Sequence, residues 1–234
     1  MYHHDSKYLP PAEYKLVTHL KDRSVYTFCM CPGGMVVCAS SHPGELVTNG
    51  MSNHERNEKN ANSALLVGVN VDDYYHGDVL DGVYFLKKYE QLAYAKHQNY
   101  LAPVQLVKDF LNNQPSVKLG NVIPSIKPGY KLSRIDDVLP PFVSDALKEA
   151  LPLLDGKIKG FATGDSILTA IETRSSAPVR VVRNEHLQTS IPNVYAIGEG
   201  AGYAGGITTS AIDGIKIAIK ILEQGERHNE KFSQ

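Results

Sequence analysis

An α/β fold is what this sequence predicts, on three observations. Short apolar runs bounded by proline, glycine or polar clusters, such as residues 64–71 and 194–197, have the length and composition of buried strands. Apolar residues at three- and four-residue steps, above all Ile212, Ile215, Ile219 and Leu222, mark one face of a helix. The closing segment, residues 192–222, changes from the first pattern to the second across a run of glycines, giving strand, glycine-rich loop and helix in that order.

The bulk numbers set the class. A chain of 234 residues is long enough for one or two domains with a sizeable core. With 42% hydrophobic and 21% charged residues it has the composition of an ordinary soluble globular protein. A net charge of −1 gives no electrostatic case for nucleic acid or a membrane surface as partner. No stretch has the length and apolarity of a membrane span and the start is no signal peptide, so the cytoplasm is the expected location. The three cysteines, an odd number confined to residues 29–38, argue against a disulfide framework.

Taken in order, residues 1–23 form a lead-in without an apolar strand or a cap, and the His3-His4 pair is expected to be mobile. Residues 24–31 form a strand, Pro32-Gly33-Gly34 a turn, and residues 35–39 a second strand. Pro43-Gly44 forms another turn before residues 45–48, and residues 51–62 a polar loop before the strand at 64–71. A helix is expected from Asp78, as its N-cap, to about Gln98, and a second from Pro103 through Phe110. Pro124, Pro128 and Gly129 mark a connector. A third helix spans residues 141–154, with Gly156 as its stop. Strands follow at 167–173 and 179–182, and the last helix is expected to end at Gly225, before a polar tail at 226–234.

The closing loop is the richest in chemistry. A helix N-terminus crowded with small residues offers free N–H groups to an anionic or strongly polar ligand. Gly200, Gly202 and Gly205 satisfy GxGxxG, but a dinucleotide fingerprint needs a further strand and a ribose-binding acid about 20 residues on. Glu199, at the strand terminus, is placed to hold a sugar-like hydroxyl, and the helix N-terminus to stabilise negative charge. The competing explanation is that the glycines only permit a tight strand-to-helix crossing.

Several stretches together carry a family resemblance: YTFCMCPGG (26–34), TNGMS (48–52), NAN (60–62), APVQLVKDFL (102–111), ETRSSAPVRVVRN (172–184) and GEGAGYAGGI (198–207). From about residue 11 to 222 the chain resembles the C-terminal portion of the NAD(FAD)-utilising, FAD-dependent dehydrogenases, flavoproteins with the glutathione-reductase type of FAD domain. Many members have Asp where Glu199 stands here. The resemblance implies an inserted mixed α/β substrate module (24–165), followed by the C-terminal strands and helix of an FAD-binding domain (166–225). It implies FAD contacts from Gly198, Glu199, Gly200, Ala201, Gly205, Gly206, Ile207 and Thr208, and a place near the flavin or substrate for Arg174. The pyrophosphate-binding segment of such a domain is not in this sequence. That leaves either the C-terminal part of a longer flavoprotein or a separate polypeptide that holds the AMP end.

Catalytic candidates are Cys29, Cys31, His54 and Arg174. Two thiols in a CxC on a strand share a face, too far apart for easy bridging, which leaves a redox role beside a flavin or plain burial. His54, in a polar loop, has a pKa suited to proton transfer. Arg174 suits a carboxylate, phosphate or flavin carbonyl, or an ion pair with Glu172. No metal-ligand spacing is present. Three functions stand: an FAD-dependent oxidoreductase with a small-molecule substrate; a non-catalytic partial domain or interaction module; and a CxC metal or thiol-redox protein.

Overall fold

The structure, a computed structural model, describes Tyr8 and residues 14–232, of which residues 225–232 are described as helical backbone alone. The His3-His4 pair and most of the lead-in lie outside the described residues. Mixed sheets and helices make the fold α/β. The described chain divides into two compact units, residues 14–74 with 85–173, and residues 75–84 with 174–232.

The first unit is built on β2 (Ser24–Cys38), a single strand where the sequence suggests a hairpin. Pro32-Gly33-Gly34 bends the strand without reversing it. Two register shifts against β4 (Asn60–Val67) flank Cys31, and positive φ at Cys29 (48°) and Gly33 (53°) absorbs the extra residues. These are β-bulges, which increase local twist. The Glu58 N–H donates to the Gly33 carbonyl at 3.0 Å, drawing the 52–59 loop across the bend. Beyond it, β2 pairs with β3 (Thr48–Met51) and, in parallel, with β6 (Ile126–Lys127). Before it, β2 pairs with β1 (Val17–His19). The Pro43-Gly44 turn forms as expected, with Gly44 at φ 76°. The strand after it begins at Thr48, because Leu46 and Val47 turn into the core. β4 likewise starts earlier than the apolar run suggests: its asparagines pair with the bent half of β2, while Val69 and Val71 are exposed.

Helix α1 (Asp81–Ala95) starts beyond Asp78, whose carboxylate accepts the Leu80 N–H at 2.8 Å, and it ends three residues before Gln98. The helix expected from Pro103 is a correction. Residues Ala102–Leu106 are strand β5, all five buried, and only α2 (Val107–Leu111) is helical. A run with no polar face suits a strand covered on both sides. β5 lies between β7 (Tyr130–Leu132), parallel, and β8 (Ile167–Thr169), antiparallel. Its one polar residue, Gln105, is satisfied by the Gln114 carbonyl and the Ile135 N–H. α3 (Pro141–Lys157) runs through Gly156 and packs Leu147, Leu151 and Leu154 against Phe110, Leu46 and Val138. With β8 in this sheet, the first unit extends to Thr173.

In the second unit, helix α4 (Ile207–Phe232) is the one regular element of residues 174–232. Residues 179–182 and 194–197, expected as strands, are not part of a sheet. A strand exists only as a partner in a ladder, and the backbone bonds of this region are isolated ones, such as the Thr189 N–H to the Val194 carbonyl at 3.0 Å and the Val181 N–H to the Ala201 carbonyl at 3.1 Å. α4 passes through Gly225: an interior glycine costs about 1 kcal/mol, but Glu226, Arg227, Glu230 and Lys231 beyond it favour helix. The apolar stripe that foretells α4 is its exposed side, with Ile215 60% exposed, whereas Ile217 is 1% exposed.

Leu154→Ala is expected to cost about 2–5 kcal/mol, because the fully buried leucine leaves a cavity among packed neighbours. Gly33→Ala is expected to cost more than about 1 kcal/mol, since a β-carbon there would lie 1.9 Å from the Arg56 carbonyl oxygen at a positive φ. Urea unfolding midpoints of both variants check these values.

Candidate functional site

Two clusters of chemically capable residues form, one in each unit. In the second unit the glycine-rich turn at 198–206 leads into α4. Gly198 (φ 74°) donates its N–H to Asp213 Oδ2 at 2.9 Å, and its carbonyl accepts the Tyr203 N–H at 3.1 Å. The Glu199 carbonyl accepts the Gly202 N–H at 2.9 Å. Arg183 closes the arrangement. Its guanidinium gives Asp213 two hydrogen bonds, at 3.0 and 3.1 Å, gives a third to the Ala196 carbonyl, and sits 3.3 Å from the centre of the Tyr203 ring. The Arg183 hydrogen bonds, then the Gly198 N–H, hold the Asp213 carboxyl below its ordinary range. Sequence reasoning missed this pair. Asp213 is one polar residue beside an apolar stripe, and Arg183 lies 30 positions earlier with no motif to join them.

The glycines divide into two groups. Gly198 and Gly202 have positive φ, and a β-carbon on Gly202 would lie 2.5 Å from the Val179 carbonyl oxygen, so the turn itself requires them. At Gly200 and Gly205 a β-carbon would meet nothing within 4 Å. A tight crossing therefore explains the first two and not the second two, which leave bare backbone open to an approaching molecule. The N–H groups of Ile207, Thr208 and Thr209 precede the first backbone bond of α4, from the Ser210 N–H to the Gly206 carbonyl at 2.9 Å. Ile207 and Thr208 are exposed, Glu199 is partly exposed, and Ala201 is buried in the turn. A carboxylate, bare glycine backbone and a helix N-terminus are a donor and acceptor set that fits the hydroxyl chain and the polar ring edge of a flavin.

The second cluster lies at the bend of β2 in the first unit. Cys31 and Asn62 are opposite each other in the β2–β4 ladder, and both Asn62 amide atoms are buried without a hydrogen-bond partner among the described residues. Gly34 and Gly50 close on that amide, since β-carbons there would lie 3.0 Å from its nitrogen and 2.1 Å from its oxygen. Asn49 Nδ2 donates to Glu172 Oε1 at 3.2 Å, and burial pushes the Glu172 carboxyl up to about 7 despite that bond. Burial also raises the Cys31 thiol, opposed by its bond with Ser52; the charge of Glu172 raises it further and that of Arg56 lowers it. A neutral thiol is a poor nucleophile. The bulge at Cys29 also breaks the two-residue alternation that a shared face requires: Cys29 is exposed while Cys31 is half-buried, its thiol donating to the Cys29 carbonyl at 3.3 Å. His54 is exposed in the 52–59 loop, and Arg174 is exposed at the start of the second unit. Glu172, Asn49 and Asn62 went unseen as a group because three separate segments bring them together.

Among the described residues no group of three or more His, Cys, Asp or Glu side chains is disposed to hold a metal ion. None of the described helices is long and apolar enough to cross a membrane.

Residues 1–175 match the model of the family described as FAD-dependent protein, C-terminal domain-like. The chain belongs to that family. The match ends two residues beyond the last residue of the first unit, includes residues 75–84 of the second, and stops before the glycine-rich turn. An uncharacterized protein of Clostridium beijerinckii is 49% identical over 225 residues, which are 94% of this chain and 42% of that protein. The chain thus spans less than half the length of this relative.

Glu172 makes the family domain's stability pH-dependent. Its folded pKa of about 7 lies above the ordinary 4.5, so its contribution is fully present below pH 4.5 and is lost as pH rises towards 7. Glu172→Gln, which cannot ionise, is expected to leave stability nearly unchanged at acid pH. Above neutrality it is expected to gain on the order of 3 kcal/mol, the free-energy equivalent of that pKa difference. Denaturant titrations on either side of the window, on variant and parent, check the sign.

Proposed function

We propose that this chain is the C-terminal part of a cytoplasmic FAD-dependent oxidoreductase acting on a small-molecule substrate. One observation carries the proposal: a chain of an FAD-dependent family continues, past its family domain, into a turn whose open glycines, Glu199 and bare α4 N-terminus suit one end of a flavin. Glu199 would accept a hydrogen bond from a ribityl hydroxyl. The backbone at Gly200, Ala201 and Gly205, with the N–H groups of Ile207 and Thr208, would meet the ring edge and stabilise negative charge there, while Gly198 and Gly206, whose N–H groups go to Asp213 Oδ2 and Thr209 Oγ1, would shape the turn behind them. Arg174 would serve as a further cation near flavin or substrate. When bound, the flavin supplies hydride acceptance, and the chain supplies orientation and electrostatics. A pyrophosphate loop would come from another part of a longer polypeptide or from a separate one.

One observation favours a second proposal, that the chain alone is a non-catalytic partial domain. Residues 179–182 and 194–197 have no ladder partner among the described residues. Flavin titration of the purified chain separates the two. Under the first proposal FAD binds saturably, read as a change in flavin fluorescence, and Glu199→Ala weakens it by about tenfold or more, the loss expected for one hydrogen bond to a charged group. No saturable binding, with or without that substitution, would leave the partial-domain proposal standing.

A further inference from the structure

We propose that the exposed apolar face of α4, with the backbone at 195–197 beside it, docks an open β-sheet that belongs to the rest of a longer polypeptide. The inference deepens the proposal that this chain is the C-terminal part of a larger oxidoreductase, by naming the surface where the remaining polypeptide joins. It rests on that reading for its partner, and not on flavin binding.

The helix has more apolar surface than its own unit covers. At about 100° per residue, the arc from Ile217 through Ala218, Leu222 and Ile215 to Ile212 spans roughly 220°, about twice the stripe of a helix with one covered side. Asp213, Lys216, Lys220 and Glu223 all fall in the remaining sector. One edge of the arc is covered: Ile217 is 1% exposed, and a β-carbon on Gly214 would lie 3.8 Å from Ile197 Cγ2. Away from that edge Ala211, Ile212, Ile215, Ala218, Ile219 and Leu222 are exposed, Leu222 by 67%. Six uncharged side chains in a row over three turns form an interaction surface, unlike apolar residues scattered singly.

The neighbouring backbone selects the occupant. The Val194 N–H donates to the Ile191 carbonyl and the Gly198 N–H to Asp213 Oδ2. Between them, the N–H groups of Tyr195, Ala196 and Ile197 have no partner among the described residues. Val194, Tyr195 and Ile197 are residue types that favour strands, and Val194 and Ile197 are exposed. Unpaired N–H groups on such a segment are an edge to which another strand can add. A second copy of α4 laid along the strip would leave these N–H groups unanswered. A sheet answers both needs, pairing one strand with 195–197 and laying its apolar face on the helix that follows.

Length supplies the source of that sheet. The Clostridium beijerinckii relative matches 94% of this chain with 42% of its own length, so more than half of it is polypeptide beyond the match. The second unit, whose buried hydrophobic residues among those described are Ala201 and Ile217, has no apolar layer of its own to close over α4.

The test compares the full chain with the intact Clostridium beijerinckii relative, both without added flavin. Cysteine replaces Ile215 in this chain and the aligned residue in the relative, and Lys216→Cys, in the polar sector, is the control. Maleimide labelling is read on the α4 peptide by mass spectrometry, which keeps the exposed Cys29 out of the measurement. In this chain Ile215→Cys is expected to label as fast as Lys216→Cys, and in the relative about tenfold more slowly, because only local opening exposes it there. The amides of Tyr195, Ala196 and Ile197 are expected to exchange freely in this chain and to be protected in the relative. The proposal is overturned if the relative labels equally fast at both positions, or if its three amides exchange as freely as those of this chain. It is also overturned if Ile215→Cys is already slow in this chain; sedimentation velocity then tells a second copy, seen as a dimer, from the first unit of the same chain. Circular dichroism verifies folding, and should a cysteine variant fail to fold, hydrogen exchange of the unsubstituted proteins decides. Saturable FAD binding without protection in the relative strikes the docking alone, and protection without FAD binding strikes the flavin site alone.

Discussion

The bend in β2 is the constraint on which the family domain depends. Four strands pair with this one, on two sides of a kink, and the kink needs Gly33 and Gly34 in succession. A β-carbon on Gly33 would strike the Arg56 carbonyl, and one on Gly34 would lie 2.3 Å from the Met51 carbonyl oxygen. Backbone from the following loop and from β3 therefore packs where side chains would otherwise be. A straight strand would keep Cys31 and Asn62 in an ordinary ladder position. The bulges place them instead at the turn of the sheet, where the Asn62 amide is enclosed by glycines. The polar cluster is a consequence of how the sheet changes direction.

The second unit rests on a different kind of interaction. It has little apolar core of its own, Ile217 and Ala201 being its buried hydrophobic residues among those described. What shapes the turn at 198–206 is the Arg183–Asp213 pair, bidentate and mostly shielded from water, with a ring on the guanidinium and a backbone N–H on the carboxylate. Charge-assisted bonds of this geometry fix direction as well as distance. Removing one partner would strand the other in a shielded place, which costs more than the pair contributes. So one ion pair sets both where the turn leaves residues 194–197 and where α4 begins.

Much of this was legible in the sequence, and the failures have physical causes. Apolar periodicity found α1, α3 and α4, because a helix repeats its pattern over many turns. It could not tell which side of α4 faces a partner: Ile212, Ile215, Ile219 and Leu222 are exposed, and Ile217 is covered. Pro103 suggested a helix start, but the run from Ala102 to Leu106 lacks a polar face and is buried on both sides of a sheet. Pro32-Gly33-Gly34 has the composition of a reverse turn, and nothing local distinguishes a turn from a bulge that bends a strand. The glycine-rich turn was legible because its residues are contiguous. Glu172, Asn49 and Asn62 were not, since their association comes from a backbone bond between Thr48 and Ile171 that spans 123 positions.

The two clusters differ in their electrostatics, and that difference bears on function. The open N–H groups of α4 and the bare glycines before it favour negative charge. At the bend of β2, burial pushes the Glu172 carboxyl up to about 7 and raises the Cys31 thiol. A thiol activated for attack would require the opposite arrangement around Cys31, with positive charge dominant and burial minor. At Cys31 burial is the largest influence, and it favours the neutral thiol.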